Sequence, residues 1–223
     1  MKSFLLVLSL AVVGIPSLPG QTSATPASKA ATADSSGTLT AEERNQAVEY
    51  LKQTQKDFLA SIDGVSEAQW KFKAAPDRWS IAETAEHIAV AEQTIWELVS
   101  GKIMKSPATP EKKAEVKGKE EIILNKIPDR SRKAQAPEQL KPTGRCASRA
   151  ALTKDFESIR AKEIAYVTET KEDLRSHFED HPAIKTMDAW QWLLFNGAHC
   201  KRHTAQILEV KGGAEYPKTA AAR

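Results

Sequence analysis

From Trp190 to Val210 the chain holds a long, largely apolar run with no proline, and inside it stand two histidines four residues apart, His199 and His203. On a helix that spacing puts both imidazoles on one face about a turn apart. Trp192, Phe195, Gln206 and Val210 continue the same face at helical intervals. Two ring nitrogens can then reach a single point, which suits a divalent metal ion. Two imidazoles leave such an ion short of ligands, so at least one more must come from elsewhere in the fold. An isolated pair of this spacing also arises by chance in ordinary core or surface helices. The rest of the chain has to be read before the pair acquires a meaning.

The run belongs to a set of four helical segments. Thr40 and Glu43 form a capping-box pair that opens the first. Its stripe is Val48, Leu51, Phe58 and Ile62, with Gln55 filling the missing position, and it ends at Gly64. Val65 to Trp79 reads as a loop broken at Pro76 and Asp77. Ser80 and Glu83 repeat the capping box and start a second helix with the stripe Ile81, Ala85, Ile88, Ile95 and Val99, ended by Gly101. His87 lies on the flank of that stripe, where a side chain can still face a bundle core. A third helix is expected from Ser148 to about Arg175, with Ala151, Phe156, Ile159, Ile164 and Val167 inside and its charges outside. Ser176 to Thr186 is a connector broken by Pro182, and the fourth helix runs from about Met187 to Lys211. No strand-period run competes, so the expected fold class is all-α, a four-helix bundle over residues 39–212.

Between the second and third helices lies a long crossover, residues 102–147, with five prolines and one short helix expected from Val116 to Ile127. Residues 100–149 hold 13 Lys/Arg against six Asp/Glu, although the whole chain carries a net charge of only +3. Such a surplus is a solvated basic surface before it is a polyanion site.

Residues 1–20 begin with Lys2, continue through an apolar stretch from Phe4 to Ile15 and break at Pro16 and Pro19. They read as a secretory signal peptide cleaved within 20–24, too short in its apolar part for a membrane span of about 20 residues. The protein is expected to be exported by a bacterium, periplasmic or secreted, with no stable membrane insertion after cleavage. Export also removes it from nucleic acid. Residues 21–38 are small and polar and read as a disordered linker, and residues 213–223 as a flexible tail.

The other histidines are His177 and His181, also four apart. Pro182 pushes His181 out of helical geometry, so that pair reads as solvated loop histidines. Cys200 is placed as a small buried hydrophobe, and a bridge to Cys146 is left open by the sequence.

Three stretches carry a resemblance: FKAAPDRWSIAETAEHIAVAE from Phe72, PDRSRKAQAPEQLKPTG from Pro128, and DLRSHFEDHPAIKTMDAWQWLLFNGAHCKRHTAQILEV from Asp173. Together, with Trp79-Ser80, a histidine seven residues on, and His199-x-x-Arg202-His203-x-x-Gln206, they resemble the DinB-like family over roughly residues 38–211. The resemblance implies an up-down-down-up bundle in which His87, His199 and His203 hold a divalent metal. Zinc is the default, with nickel, iron or manganese compatible with imidazole ligation. Three neutral imidazoles leave an open coordination position, which allows a metal-dependent hydrolase or thiol transferase acting on a small-molecule substrate. The alternative is a non-catalytic envelope protein that binds metal for structure, sensing or sequestration. A homodimer is compatible with either. Glu83 and Gln206 are candidates to accept the outer ring N–H groups, Glu83 also serving as a cap. Arg202 is set either for an ion pair with a neighbouring helix or for a substrate.

Overall fold

The computed structural model describes residues 38–146 and 148–218. The expected signal peptide and residues 21–37 of the linker lie outside them, as does the end of the tail. Seven helices and one hairpin follow in order: α1 (Ala41–Ile62), α2 (Glu67–Lys71), α3 (Ile81–Gly101), α4 (Lys113–Val116), α5 (Lys119–Lys126), α6 (Arg149–Glu169), β1 (Phe178–His181), β2 (Lys185–Asp188) and α7 (Ala189–Lys211). None of the described helices is long and apolar enough to cross a membrane.

The long helices start where side chains can satisfy the free N–H groups of a first turn. Thr40 and Glu43 cap α1 reciprocally, and Ser80 and Glu83 do the same for α3, as their spacing predicts. Two further boxes have the same chemistry with glutamine in place of glutamate: Ser66/Gln69 on α2, inside the expected loop, and Asp188/Gln191 on α7.

The four long helices form a ring: α1 packs against α6 and α7, and α3 packs against the same two. At one end Trp190 Nε1 donates to Glu43 O, and Arg44 donates to the carbonyls of Val167 and Thr170. At the other, Lys211 reaches Ser61 O and Arg149 reaches Val65 O. Two apolar clusters fill the bundle. One gathers Leu51, Val99, Val167 and Leu193, and the other Phe58, Ile88, Phe156 and Ile207.

Between these clusters in the sequence of α1, α3 and α6 stand polar residues, Thr54, Glu92, and Arg160 with Glu163, joined by Asn196 from within the first cluster's run on α7, all buried. Arg160 grips Glu92 with two nitrogens and also donates to Leu51 O and Thr54 Oγ1. Asn196 donates to Glu163 at 2.6 Å. This layer corrects two expectations. The inner face of α6 is Leu152, Phe156, Arg160, Glu163 and Val167, so two ionisable side chains face inward because they find partners there, while Ile159 and Ile164 flank them. On α1 the inner position is Thr54, which bonds Arg160, and Gln55 sits beside it.

The fold is mostly helical, as expected, but the connector before α7 is an antiparallel hairpin pairing Phe178 with Asp188 and His181 with Lys185. Pro182 stands in its turn, and Lys185 takes a φ of 65° to close it. Helix α6 stops at Glu169, six residues before the expected end, where Thr170 turns to an extended ψ of 141° and its hydroxyl accepts the Glu172 N–H; Arg175 pairs beyond it with Glu43, Glu120 and Asp188. The start of the tail is held: Tyr216 packs edge-on against Phe72, and Pro217 O accepts from Gln69.

Candidate metal centre

Contact between α3 and α7 sets His87 against the face that carries His199 and His203. His87 Nε2 lies 3.1 Å from His199 Nε2 and 3.2 Å from His203 Nε2. Among the described residues these three form the group of side chains that could hold a metal ion, with all three ligand atoms within 4.8 Å of one another. His87 is buried and the other two are half-buried. Trp79 walls one side, its ring centroid 4.9 Å from that of His87 and 6.4 Å from that of His203.

The outer nitrogens fix the protons. His87 Nδ1 is 2.8 Å from Leu140 O, and a carbonyl only accepts, so Nδ1 carries the hydrogen. His203 Nδ1 is 2.9 Å from Gln206 Oε1, and Arg130 Nη1 donates to that same oxygen at 3.2 Å. The guanidinium identifies the atom as the acceptor, so His203 Nδ1 is the donor as well. In the neutral rings both inward Nε2 atoms are therefore bare lone pairs, facing each other at 3.2 Å. They cannot hydrogen-bond to one another, and they repel unless a cation lies between them.

Protonation is a poor way to supply that cation. Burial pushes His87 below the usual imidazole range, although its bond to Leu140 opposes the shift. Burial pushes His203 down to about 3, reinforced by the charges of His87, Arg130 and Arg202. His199 is driven well down by burial and then by its two histidine neighbours. Neutral imidazoles are the form that binds metal. Two imidazole nitrogens bound tetrahedrally at about 2.0–2.1 Å from zinc stand roughly 3.3 Å apart, close to the spacing found. The residues present fit a divalent ion.

The sequence over residues 50–207 matches the DinB superfamily. The chain belongs to the DinB superfamily. It is also similar to the uncharacterized protein YuaE of Bacillus subtilis (strain 168), 27% identical over 150 residues, which cover 67% of this chain and 88% of that protein.

In this DinB-superfamily chain the three histidines that the resemblance implies, His87, His199 and His203, lie together, and of the two candidate acceptors Gln206 is the one that meets a ring, that of His203. Glu83 serves as cap and pairs with Lys73 instead of a histidine. Leu140 was not foreseeable, because a backbone carbonyl has no residue signature. Arg202 spends its hydrogen bonds on the backbone, donating to the carbonyls of Ile127, Asp129 and Arg132.

His181 is half-buried against Trp192 and Phe195, and its Nδ1 accepts the N–H groups of Ala183 and Ile184, so it braces the hairpin turn. Both cysteines are free. Cys200 is buried, and that burial pushes its thiol up to about 12.

Proposed function

We propose that His87, His199 and His203 hold a divalent metal ion, zinc by default, at a site with a coordination position left for a small-molecule substrate or water. The observation that carries this reading is the 3.2 Å approach of two Nε2 lone pairs whose Nδ1 hydrogens are committed elsewhere. A bound ion would supply Lewis-acid activation of a water or thiol, the chemistry of a hydrolase or thiol transferase. The chain's own part is to hold the rings of His87 and His203 in one tautomer and to shield one side with Trp79. The up-down-down-up order fits the end-to-end contacts: the N-termini of α1 and α7 meet at Glu43 and Trp190, while Arg44 reaches the C-terminal end of α6. Residues 1–20 read as an export signal, so the site works outside the cytoplasm and apart from nucleic acid.

A second reading, metal binding without catalysis, is favoured by the fate of the carboxylates on α3. Glu83 is spent on Ser80 and Lys73, Glu86 on backbone N–H groups, and Glu92 on Arg160. No carboxylate joins the three histidines among the described residues, so a general base would have to be the substrate's own or the metal's. Elemental analysis of wild type against His87→Ala tests the metal. Stoichiometric metal in the first and its loss in the second is the expected result, and a metal-free wild type overturns the reading. Hydrolysis or thiol transfer by the loaded protein, abolished by His203→Ala, separates the enzyme from the binding protein.

A further inference from the structure

The crossover closes over the histidine triad chiefly through polar contacts, with only partly buried apolar contacts at its ends, from Ile127 and Cys146. From Pro128 to Cys146 it contributes no buried hydrophobic residue, and Ser131 to Gln135 are exposed without a break. Yet it is held at four points, and each one involves a histidine of the triad, the residue directly before one, or the side chain that orients one. Leu140 O accepts the Nδ1–H of His87. Arg130 donates to the Gln206 oxygen that orients His203, and is itself clamped by Glu209 at 2.6 and 2.8 Å. Arg202, directly before His203, holds the carbonyls of Ile127, Asp129 and Arg132. Glu86, directly before His87, accepts the N–H groups of Thr143, Gly144 and Arg145 at 2.8, 2.9 and 3.3 Å.

We infer that residues 127–145 form a strap whose docking and metal occupancy are coupled, with Arg130 and Arg202 as positioning residues. The inference rests on the metal-binding reading above and adds what the histidines alone do not require: metal affinity depends on a segment that supplies no ligand.

The physical basis is orientation. A ligand imidazole binds well only if its ring plane and tautomer are set beforehand, and the partner of its outer nitrogen sets both. For His87 that partner belongs to the strap itself. For His203 it is Gln206, whose amide could rotate if Arg130 did not donate to its oxygen. His199 receives no partner from the strap and is placed by α7. Metal that draws His87 and His203 into position therefore strengthens two of the four attachments. Linkage makes the effect reciprocal: if the docked strap raises metal affinity by some factor, bound metal favours docking by the same factor. A segment with no fully buried side chain, whose apolar contact is the partly buried Ile127 at its start, is the kind whose docking such a factor can decide.

The test uses the full chain and zinc. Zinc affinity is measured by chelator competition for wild type, Arg130→Ala, Arg202→Ala and Arg202→Lys. Amide hydrogen exchange over residues 127–145 is followed with and without zinc. Loss of an outer partner weakens metal binding by roughly 10–100-fold. Both alanine variants are expected in that range, Arg202→Lys is expected between them and wild type, and zinc is expected to slow exchange across the strap. A merely structural role would lower the melting temperature of the metal-free variants while leaving their zinc affinity within twofold of wild type, and that outcome overturns the inference. So does exchange in residues 127–145 that is the same with and without zinc, a measurement that needs no variant to fold. Wild type that binds no zinc removes the metal reading as well. Wild type that binds zinc with affinities unmoved in the variants removes only the coupling.

Discussion

Arg160 and Glu92 meet in the middle of the bundle with neither side chain exposed, Arg160 Nη2 lying 2.6 Å from Glu92 Oε2 and Nε bonding Oε1. A second carboxylate, Glu163, lies 3.3 Å from the same guanidinium. Burial and the neighbouring Glu92 charge push Glu163 well above the usual carboxylate range, so one arginine balances one ionised partner and Glu163 keeps its proton. Removing one member of a buried pair strands a charge, which costs about 3–5 kcal/mol. Urea unfolding of Arg160→Met should show a loss of that size. Glu163→Gln, which keeps a neutral hydrogen-bonding group in the same shape, should stay within about 1 kcal/mol of wild type. Equal losses in the two variants would mean that Glu163 is ionised.

Asp188 should give the folded chain a pH dependence of its own. Burial raises its carboxyl from 3.8 to about 7, because Arg175, which attracts it, is shared with Glu120 and Glu43. Between about pH 4 and 7 the folded state holds a proton that the unfolded state has released. The stabilisation is complete below pH 4 and is lost as pH rises through 7. Asp188→Asn keeps a capping side chain and cannot ionise. The stability of that variant relative to wild type should therefore climb across pH 4–7, and a flat difference would place the Asp188 carboxyl at its ordinary value.

The histidines act in the opposite sense. All three are pushed down, His203 to about 3, so in the metal-free chain the unfolded state takes up protons first. Their contribution is present above pH 6.5 and falls away as pH drops toward 3. Bound zinc should leave over the same acid range, because protons compete for the ligand nitrogens. Titration with a zinc indicator should follow this release, and metal retained below pH 3 would contradict neutral imidazole ligation.

His181→Ala and His203→Ala should separate stability from metal. His181 packs on Trp192 and Phe195 and closes the hairpin turn, so its loss should lower the melting temperature while metal content stays stoichiometric. His203→Ala should do the reverse in a metal assay. If His181→Ala lost its metal, the pair at 177 and 181 would have to be reconsidered as ligands.

Gly197 should tolerate no side chain without a shift in α1. A Cβ there would lie 2.9 Å from Tyr50 Cδ1 and 3.0 Å from Cε1. Overpacking of this kind costs about 1–3 kcal/mol. Thermal unfolding of Gly197→Ala measures it, and reducing Tyr50 to leucine in the same chain should recover part of the loss.

The sequence determined the parts of this protein that obey local rules. Capping boxes at Thr40 and Ser80 set where α1 and α3 begin, and the 3–4 stripes set which apolar faces turn inward. The spacing of His199 and His203 fixed a half-site on α7, because four residues make about one helical turn. The tertiary structure decided what depends on partners remote in the chain. Arg160 and Glu163 face inward only because Glu92, 68 residues from Arg160, and Asn196 arrive to pair with them; hydropathy ranks such charges as surface. The hairpin at Phe178 to Asp188 lacked a strand period, since it forms from the turn at Pro182 and its packing on α7. The proton positions on His87 and His203 were settled by Leu140 O and by Arg130 acting on Gln206, a backbone atom and a crossover side chain brought in by the fold.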